Sequence, residues 1–527
     1  MAKTRNVWGW GNIEDALSGK EIDGLEALVM PMFGGSGQRI NPINPDDIRL
    51  STPKLEIPRG ISHLFSTEFK ERARHTYGRS FLDVSNAMVG DFGGAPDLVC
   101  FPETAQDVKN VIEFCSLKRI ALVPFGGGSS VVGGVTTTTI REKGYEYVVS
   151  LDLSKLNKLL ELDKESLSAH FEAGILGPDL EEKLRPSGLT LRHFPQSFEF
   201  SSLGGWIATR AGGHFATGYT HIDDYVESLT VQTLNGRYES RRLPASGAGP
   251  SPDRFWIGSE GAFGVIVDAW VRVKRRPSFR AKLDVSFTSK ECSHKALKSI
   301  AQSDLSPANL RLLDPMEAFI NGVSDGSKSI LLIGFESSDH PVDEYLGFAS
   351  DIALSCGGIT ESSLDKGGAS ESETWKSSFI RAPYLRDALI RLGLIVDTFE
   401  TAITWDKFEV FNEHILRTAN EAVKSVTGNS GIVTMRTTHA YSNGVAPYYS
   451  VIAKGQNGKS RDMWKEIKSA VSDAVFESGG TITHHHAVGR DHMKWYEKEV
   501  PRIFGNSLKV VKNNLDPNMI FNPGVLV

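Results

Sequence analysis

Cysteine is scarce: Cys100, Cys115, Cys292 and Cys356 are the only four in 527 residues, and none forms a C-x-x-C pair. That spacing argues against a disulfide framework or a cysteine zinc cluster and fits a reducing compartment. Long apolar runs are also missing, none approaching the roughly 20 residues that span a bilayer. The opening MAKTRNVWGWGNIED has no apolar signal stretch and the closing PGVLV is not a peroxisomal address, so a cytoplasmic protein is expected. Basic residues show no excess; the formal net charge of −6 speaks against a nucleic-acid partner. Tandem repeats and low-complexity tracts are absent as well.

What is present is an ordinary globular mixture, 40% apolar and 23% charged, in a chain too long for one core, so two or three domains are expected. Residues 1–90 mix helical pieces with Pro-rich extended segments and read as an N-terminal extension. From residue 91 the pattern becomes strand, helix, strand: DLVCF is β-prone, DVKNVIEFC is apolar at helical spacing, and IALVPF is a short buried strand. Short strands and one amphipathic helix, LGPDLEEKLRPSG, then give a mixed α+β domain to about 275, with a surface loop at 245–253. Longer helices alternate with strands over 276–480, a second domain. Within it the Gly/Ser-rich LDKGGASESETW, 364–375, reads as a mobile loop. Residues 481–527 form a closing segment.

The first motif with chemistry is PFGGGSSVVGGV, Pro124 to Val135. Glycines let a turn fold tightly and aim several N–H groups at one anion, as a pyrophosphate nest requires. No GKS or GKT follows, so it is not a Walker loop, and the GxGxxG spacing is too loose for a dinucleotide fingerprint. Alone it is a turn. Two further Gly-rich stretches keep it company: PQSFEFSSLGGWIATRAGGHFATGYTHIDD at 195–224 and GSEGAFGVI at 258–266. The other conspicuous feature is His484-His485-His486 in GGTITHHHAVGRDH. An extended run would put His484 and His486 on one face and His485 on the other, which disfavours a three-histidine metal site. No metal is therefore expected.

PFGGGSS, SLGGWIATRAGG, GSEGAFGVI and the closing LDPNMIFNPG, in that order, resemble the vanillyl-alcohol-oxidase-type flavoproteins. The resemblance implies an α+β fold: a two-part FAD-binding domain of the p-cresol-methylhydroxylase type and an α+β cap over the substrate. It implies FAD held by Pro124, Gly126, Gly127, Gly128, Ser129 and Ser130 around the pyrophosphate. Ser201, Ser202, Gly204, Gly205 and Thr209 would line the flavin side, and Glu260, Gly264 and Ile266 the adenine half or ring edge. Covalent members often carry a His in the loop; Ser129 and Ser130 stand there here, so a dissociable FAD is expected.

Within that class NVWGWG, FEFSSLGGWIATRA, LRLLD, PYLRDALIRLGLIVDTFETAITWDK and HHHAVGRDHMKWYEKE resemble the alkyldihydroxyacetonephosphate synthases. These exchange the acyl chain of an acyl-dihydroxyacetone phosphate for a fatty alcohol through a flavin adduct, forming an ether lipid. The likeness assigns catalytic positions to Arg311, Tyr449, His484, His485 and His486, with His485 the first choice of base, and gives the substrate phosphate to Arg386. Histidine suits a base working near neutrality and Arg a phosphate fork. It further implies a lipid substrate, peripheral membrane contact and a homodimer. Each residue has a plainer reading: Arg311 as an ion-pair partner, Arg386 paired with Asp387, Tyr449 as packing, His214 and His221 as surface polar groups. The chain departs from animal synthases where HFATGYTH replaces a basic run after the TRA segment, which bears on the substrate. An FAD-dependent oxidase or dehydrogenase acting on a hydroxylated molecule is the alternative.

Overall fold

The computed structural model describes residues 3–35, 38–213, 220–360 and 371–527. The first half builds two small sheets. One has the order β1-β2-β4-β3, from β1 (Phe65–Ser66), β2 (Leu98–Cys100), β3 (Ala121–Phe125) and β4 (Val148–Asp152), the last three parallel. The helix Ala105–Lys118 crosses between β2 and β3. It begins at a Thr104–Asp107 capping box, buries Val108, Val111, Ile112 and Cys115, and ends on a left-handed Arg119. The predicted strand–helix–strand is thus in place. Pro124 is tolerated in β3 because β3 is an edge. The chain's last residues cover that edge: Leu122 N–H donates to the Ile520 carbonyl (2.8 Å) and Asn522 N–H to the Leu122 carbonyl (2.9 Å).

The second sheet takes β5 (Leu159–Asp163), β6 (Ser168–Glu172), β8 (Val226–Thr233), β9 (Gly236–Glu239) and β10 (Val265–Arg272), in the antiparallel order β5-β6-β10-β8-β9; β7 (Leu189–Thr190) pairs apart with β11 (Lys274–Arg275). Helices Gly177–Leu184 and Leu203–Thr209 share a core with it, and Leu508 from the C-terminal helix joins them.

An antiparallel sheet dominates the second half: β12 (Phe279–Phe287), β13 (Asn309–Leu313), β14 (Ser329–Ser337), β15 (Ile359–Thr360), β16 (Leu394–Glu400), β17 (Ile403–Thr404), β18 (Ile432–Ala440) and β19 (Gly444–Lys454). Its order is β15-β12-β14-β13-β18-β19-β16, with β17 on β19. Long helices, among them Trp405–Thr427 and Ser460–Glu477, share its main core.

The N-terminal residues pack partly with the rest: Ile22, Met30, Phe33, Phe81 and Met88 join the core of the large sheet, while Val7, Ile48, Ala73, Tyr77 and Ala87 form a small cluster with Phe92 and Ala95. In the segment expected as a loop, a helix already runs from Glu371 to Arg391, while 361–370 lie outside the described residues. The 245–253 loop is solvent-exposed for most of its length. All four cysteines are free thiols, and among the described residues no helix is long and apolar enough to cross a membrane.

Candidate active site

A cavity of about 310 Å³ lies between the two halves, and a narrower one of about 90 Å³ shares Gly126, Ser130, Ser202, Gly205 and Thr209 with it. Gly126 to Val131 line its near wall. A Cβ on Gly127 would collide with the Phe200 carbonyl, and one on Gly126 with Ser202 Oγ, so only glycine lets the loop lie against Ser201 and Ser202. Among the described residues none accepts a hydrogen bond from the amides of Gly127, Gly128, Ser129, Ser130 or Val131. A row of unsatisfied donors beside a cavity suits an anionic pyrophosphate.

The helix Leu203–Thr209 starts where Ser202 Oγ accepts from the Gly205 amide (3.2 Å), and Gly204 lets it press on Ala173. Pro124, Gly204, Glu260, Gly264 and Ile266 line the narrower cavity, and Ser201 the wider one. All fourteen residues assigned to FAD therefore line one or other of these two adjoining cavities. Glu260, at φ +49°, accepts from the amides of Val488 and Gly489 (2.8 Å each); burial, against those two bonds, raises its pKa to about 7. Asn522, which the motifs did not single out, donates to the carbonyls of Gly134 (3.0 Å) and Glu260 (2.8 Å) and lines the narrower cavity.

The far wall is the large sheet, and its pleat selects who faces the cavity. Val396 and Thr398 on β16, Thr434 and Arg436 on β18, and Tyr448, Ser450 and Ile452 on β19 point in at every second position. A bulge between Thr437 and His439 breaks the alternation, so Thr438 and His439 both line the cavity.

This parity corrects the tyrosine assignment. Tyr449 is fully buried on the opposite face, stacked on Phe399 at 4.8 Å with its hydroxyl donating to Asn412 Oδ1 (2.9 Å). Its neighbour Tyr448 lines the cavity, under the Arg436 guanidinium at 4.0 Å and beside the His485 ring at 6.0 Å.

The histidine triplet is not extended either. Glu400, at the end of β16, is buried beneath it and accepts from the amides of His484 (2.7 Å), His485 (3.2 Å) and His486 (2.9 Å) and from Thr483 Oγ (2.6 Å). Three successive amides converging on one carboxylate curl the backbone into a nest. Burial opposes the Glu400 charge, yet the imidazoles around it, His485 foremost, and the Thr483 hydroxyl hold its pKa well below the carboxylate range. The curl turns His485 and His486 together towards the cavity and His484 behind them, onto Tyr441 and His221. The 484/486 pairing expected from alternation is thereby replaced.

His439, His484 and His485 do bring ring nitrogens within 4.8 Å of one another. Hydrogen bonds already engage them: His439 Nε2 with the Gly213 carbonyl (2.8 Å), and His484 Nδ1 with His485 Nδ1 (3.0 Å). His214 lies outside the described residues.

Arg311 and Arg386 both line the cavity. Burial first, then neighbouring Arg436, lower the Arg311 pKa to about 9 against Glu317. The Arg386 fork is engaged by protein: Nε and Nη2 donate to Asp387 Oδ1 (3.2 and 2.9 Å) and Nη1 to the Arg79 carbonyl (2.6 Å). Asp387 Oδ2 in turn accepts from the Trp10 amide (2.5 Å), which places the N-terminal NVWGWG beside the cavity. Arg436, unmarked in the sequence, pairs with Glu317 (2.5 Å).

Residues 96–240 match the family described as FAD binding domain, and 276–526 that described as FAD linked oxidases, C-terminal domain. The alkyldihydroxyacetonephosphate synthase of Dictyostelium discoideum is 29% identical over 482 residues, 86% of this chain and 77% of that protein. That of Caenorhabditis elegans is 28% identical over 500 residues, 88% and 81%. The glycolate oxidase subunit GlcD of Bacillus subtilis is 24% identical, covering 88% of this chain and 97% of its own. A solved alkyldihydroxyacetonephosphate synthase superposes with a TM-score of 0.81 at 24% identity over 98% of both chains. A p-cresol methylhydroxylase gives 0.69 at 14% identity, over 90% of this chain and 98% of its own. The cofactor is FAD, and the free amides of the Gly126–Ser130 loop fit its pyrophosphate. The chain belongs to the vanillyl-alcohol-oxidase-type FAD flavoproteins, as an alkyldihydroxyacetonephosphate synthase-like member.

Proposed function

We propose that the protein is an FAD-dependent alkylglycerone-phosphate synthase, which replaces the acyl chain of an acyl-dihydroxyacetone phosphate with a fatty alcohol in ether lipid synthesis. One observation carries the substrate reading. Three arginines, Arg311, Arg386 and Arg436, line the cavity, and Glu317 is the only acidic residue lining it among the described residues. The excess positive charge suits a phosphate. Beyond it Ile320, Phe379, Leu389, Val396 and Ile452 offer apolar wall to a hydrocarbon chain. Arg386, whose fork meets Asp387 and Arg79, and Arg436, paired with Glu317, would offer a phosphate their charge alongside Arg311.

The bound flavin supplies a reactive nitrogen able to carry the substrate carbon without net reduction. His485 takes the substrate proton, Tyr448 and His486 stand within reach to pass it on, and Glu400 balances the imidazolium that forms. The proposal extends to a homodimeric cytoplasmic enzyme that touches a membrane peripherally, the membrane contact because its substrate is a lipid; liposome flotation and sedimentation test that extension.

A second reading is an FAD oxidase or dehydrogenase. Its support is that the same arginines would pair with the carboxylate of a hydroxy acid, and relatives include a glycolate oxidase subunit and a D-lactate dehydrogenase. An anaerobic mixing experiment separates the two. Incorporation of labelled fatty alcohol with release of fatty acid and no lasting loss of flavin absorbance is the expected result. Lasting bleaching by an alcohol or hydroxy acid, reversed by oxygen, would establish the oxidase instead.

A further inference from the structure

Behind His485 a chain of imidazoles runs away from the cavity. His221 Nδ1 lies 3.0 Å from the Arg210 carbonyl, and His221 Nε2 lies 3.1 Å from His484 Nε2. His484 Nδ1 lies 3.0 Å from His485 Nδ1. Tyr441 Oη is 2.8 Å from the same His484 Nε2 and 3.3 Å from Thr220 Oγ1.

A neutral imidazole carries one ring proton, so its two nitrogens are one donor and one acceptor. The Arg210 carbonyl only accepts, which puts the His221 proton on Nδ1 and leaves Nε2 bare. His484 must then donate from Nε2, leaving its Nδ1 bare. His485 must in turn donate from Nδ1. Glu400 Oε2, 3.4 Å from that nitrogen, favours the same assignment. Of the three bare nitrogens, His221 Nε2 and His484 Nδ1 each accept from the next ring, and His485 Nε2 is the one with no partner among the described residues.

We propose that the Arg210 carbonyl, His221 and His484 form a relay that holds His485 in its Nδ1–H tautomer with a bare Nε2 for the cavity, which makes His221 and His484 positioning residues. The idea rests on His485 as proton acceptor in the function proposed above. Burial supports the neutral state that the argument needs: it lowers the pKa of His221, lowers that of His484 well below its ordinary value, and brings that of His485 to about 3. Thr220 accepts the Tyr441 proton in this arrangement, so Tyr441 accepts from His484 alongside His221. Without His221, Tyr441 is free to turn its proton onto His484 Nε2, and the whole series inverts.

The test uses the full-length, FAD-loaded protein labelled with nitrogen-15 in histidine, read through two-bond proton–nitrogen correlations near neutral pH. His221 and His485 should appear as Nδ1–H tautomers and His484 as Nε2–H. His221→Phe should move His485 towards Nε2–H and lower kcat about tenfold to hundredfold, with KM little changed. His221→Gln, whose carbonyl restores an acceptor near the Nε2 position, should recover most of both. The kcat–pH profile should keep its shape in the Gln variant and shift in the Phe variant. Asp223, Glu400, His439, His486, Tyr441, Tyr448, Arg210 and Arg436 all face this group and stay constant in the comparison. An Nε2–H His485 in the unsubstituted protein, or unchanged tautomers in His221→Phe, would overturn the proposal. Expected tautomers with full turnover in His485→Gln would instead sink His485 as the base and leave the relay standing.

Discussion

At the scale of single residues, adjacent side chains here have opposite surroundings. Tyr448 and Tyr449 differ only in parity along β19, yet one meets Arg436 and the cavity and the other Asn412 and the core. Tyr448→Phe should lower turnover by roughly an order of magnitude or more if its hydroxyl passes protons. Tyr449→Phe should cost about 1 kcal/mol of stability, the usual worth of one hydrogen bond, and leave turnover unchanged. Paired kinetics and denaturant unfolding check both. Glu400 is a second such residue. Glu400→Gln replaces an acceptor oxygen with an NH2 group facing the His484–His486 amides. It should cost about 3 kcal/mol and depress activity while FAD stays bound, read by thermal unfolding and flavin absorbance. Sequence pointed at the triplet but not at Glu400, 84 positions away, because nothing local links a β16 carboxylate to a bend after residue 480.

At the scale of elements, the glycine loop following β3 reads alone as a turn, and only beside two further Gly-rich stretches does it point to an anion cradle. Its requirement is local: a tight turn with no Cβ and amides aimed one way. Gly127→Ala should therefore abolish FAD retention, because its Cβ has no room beside the Phe200 carbonyl. The check is flavin absorbance per mole of purified protein; wild-type loading would refute the cradle. The bulge in β18 was not legible. It depends on β19's register, and it brings in His439, a residue no motif singled out. The helix from Glu371 takes in the end of the segment read as a loop, whose Gly-rich part, 364–370, lies outside the described residues. Arg386 kept the plainer of its two sequence readings, since Asp387 is its immediate neighbour.

For the whole molecule, buried histidines dominate the response to pH. Seven of them, His193, His221, His439, His484, His485, His486 and His492, have pKa values lowered chiefly by burial, His193 and His485 to about 3 and His486 and His492 to about 4. A group depressed in the folded state contributes stability that is present above its unfolded pKa, 6.5 here, and is lost as pH falls towards the folded value. Glu260, Asp314 and Asp491, raised by burial to about 7, work the other way, favouring the fold at low pH and losing that contribution as pH rises to about 7. Burial raises Asp83 as well, and the seven histidines outweigh these four carboxyls. The thermal midpoint should fall steadily from pH 6.5 to pH 4, and a midpoint rising over that window would contradict the burial of the cluster.

The division between sequence and structure follows from the range of the forces involved. Sequence by itself determined the α+β class and marked the three Gly-rich stretches that line the two cavities, because backbone sterics and hydrophobic period act over a few residues. Tertiary structure alone decided which tyrosine faces the cavity, that the triplet curls onto Glu400, and that the Arg386 fork also reaches the Arg79 carbonyl. Those outcomes depend on strand parity, a bulge and a buried charge, where groups distant along the chain satisfy one another only after the sheets have packed.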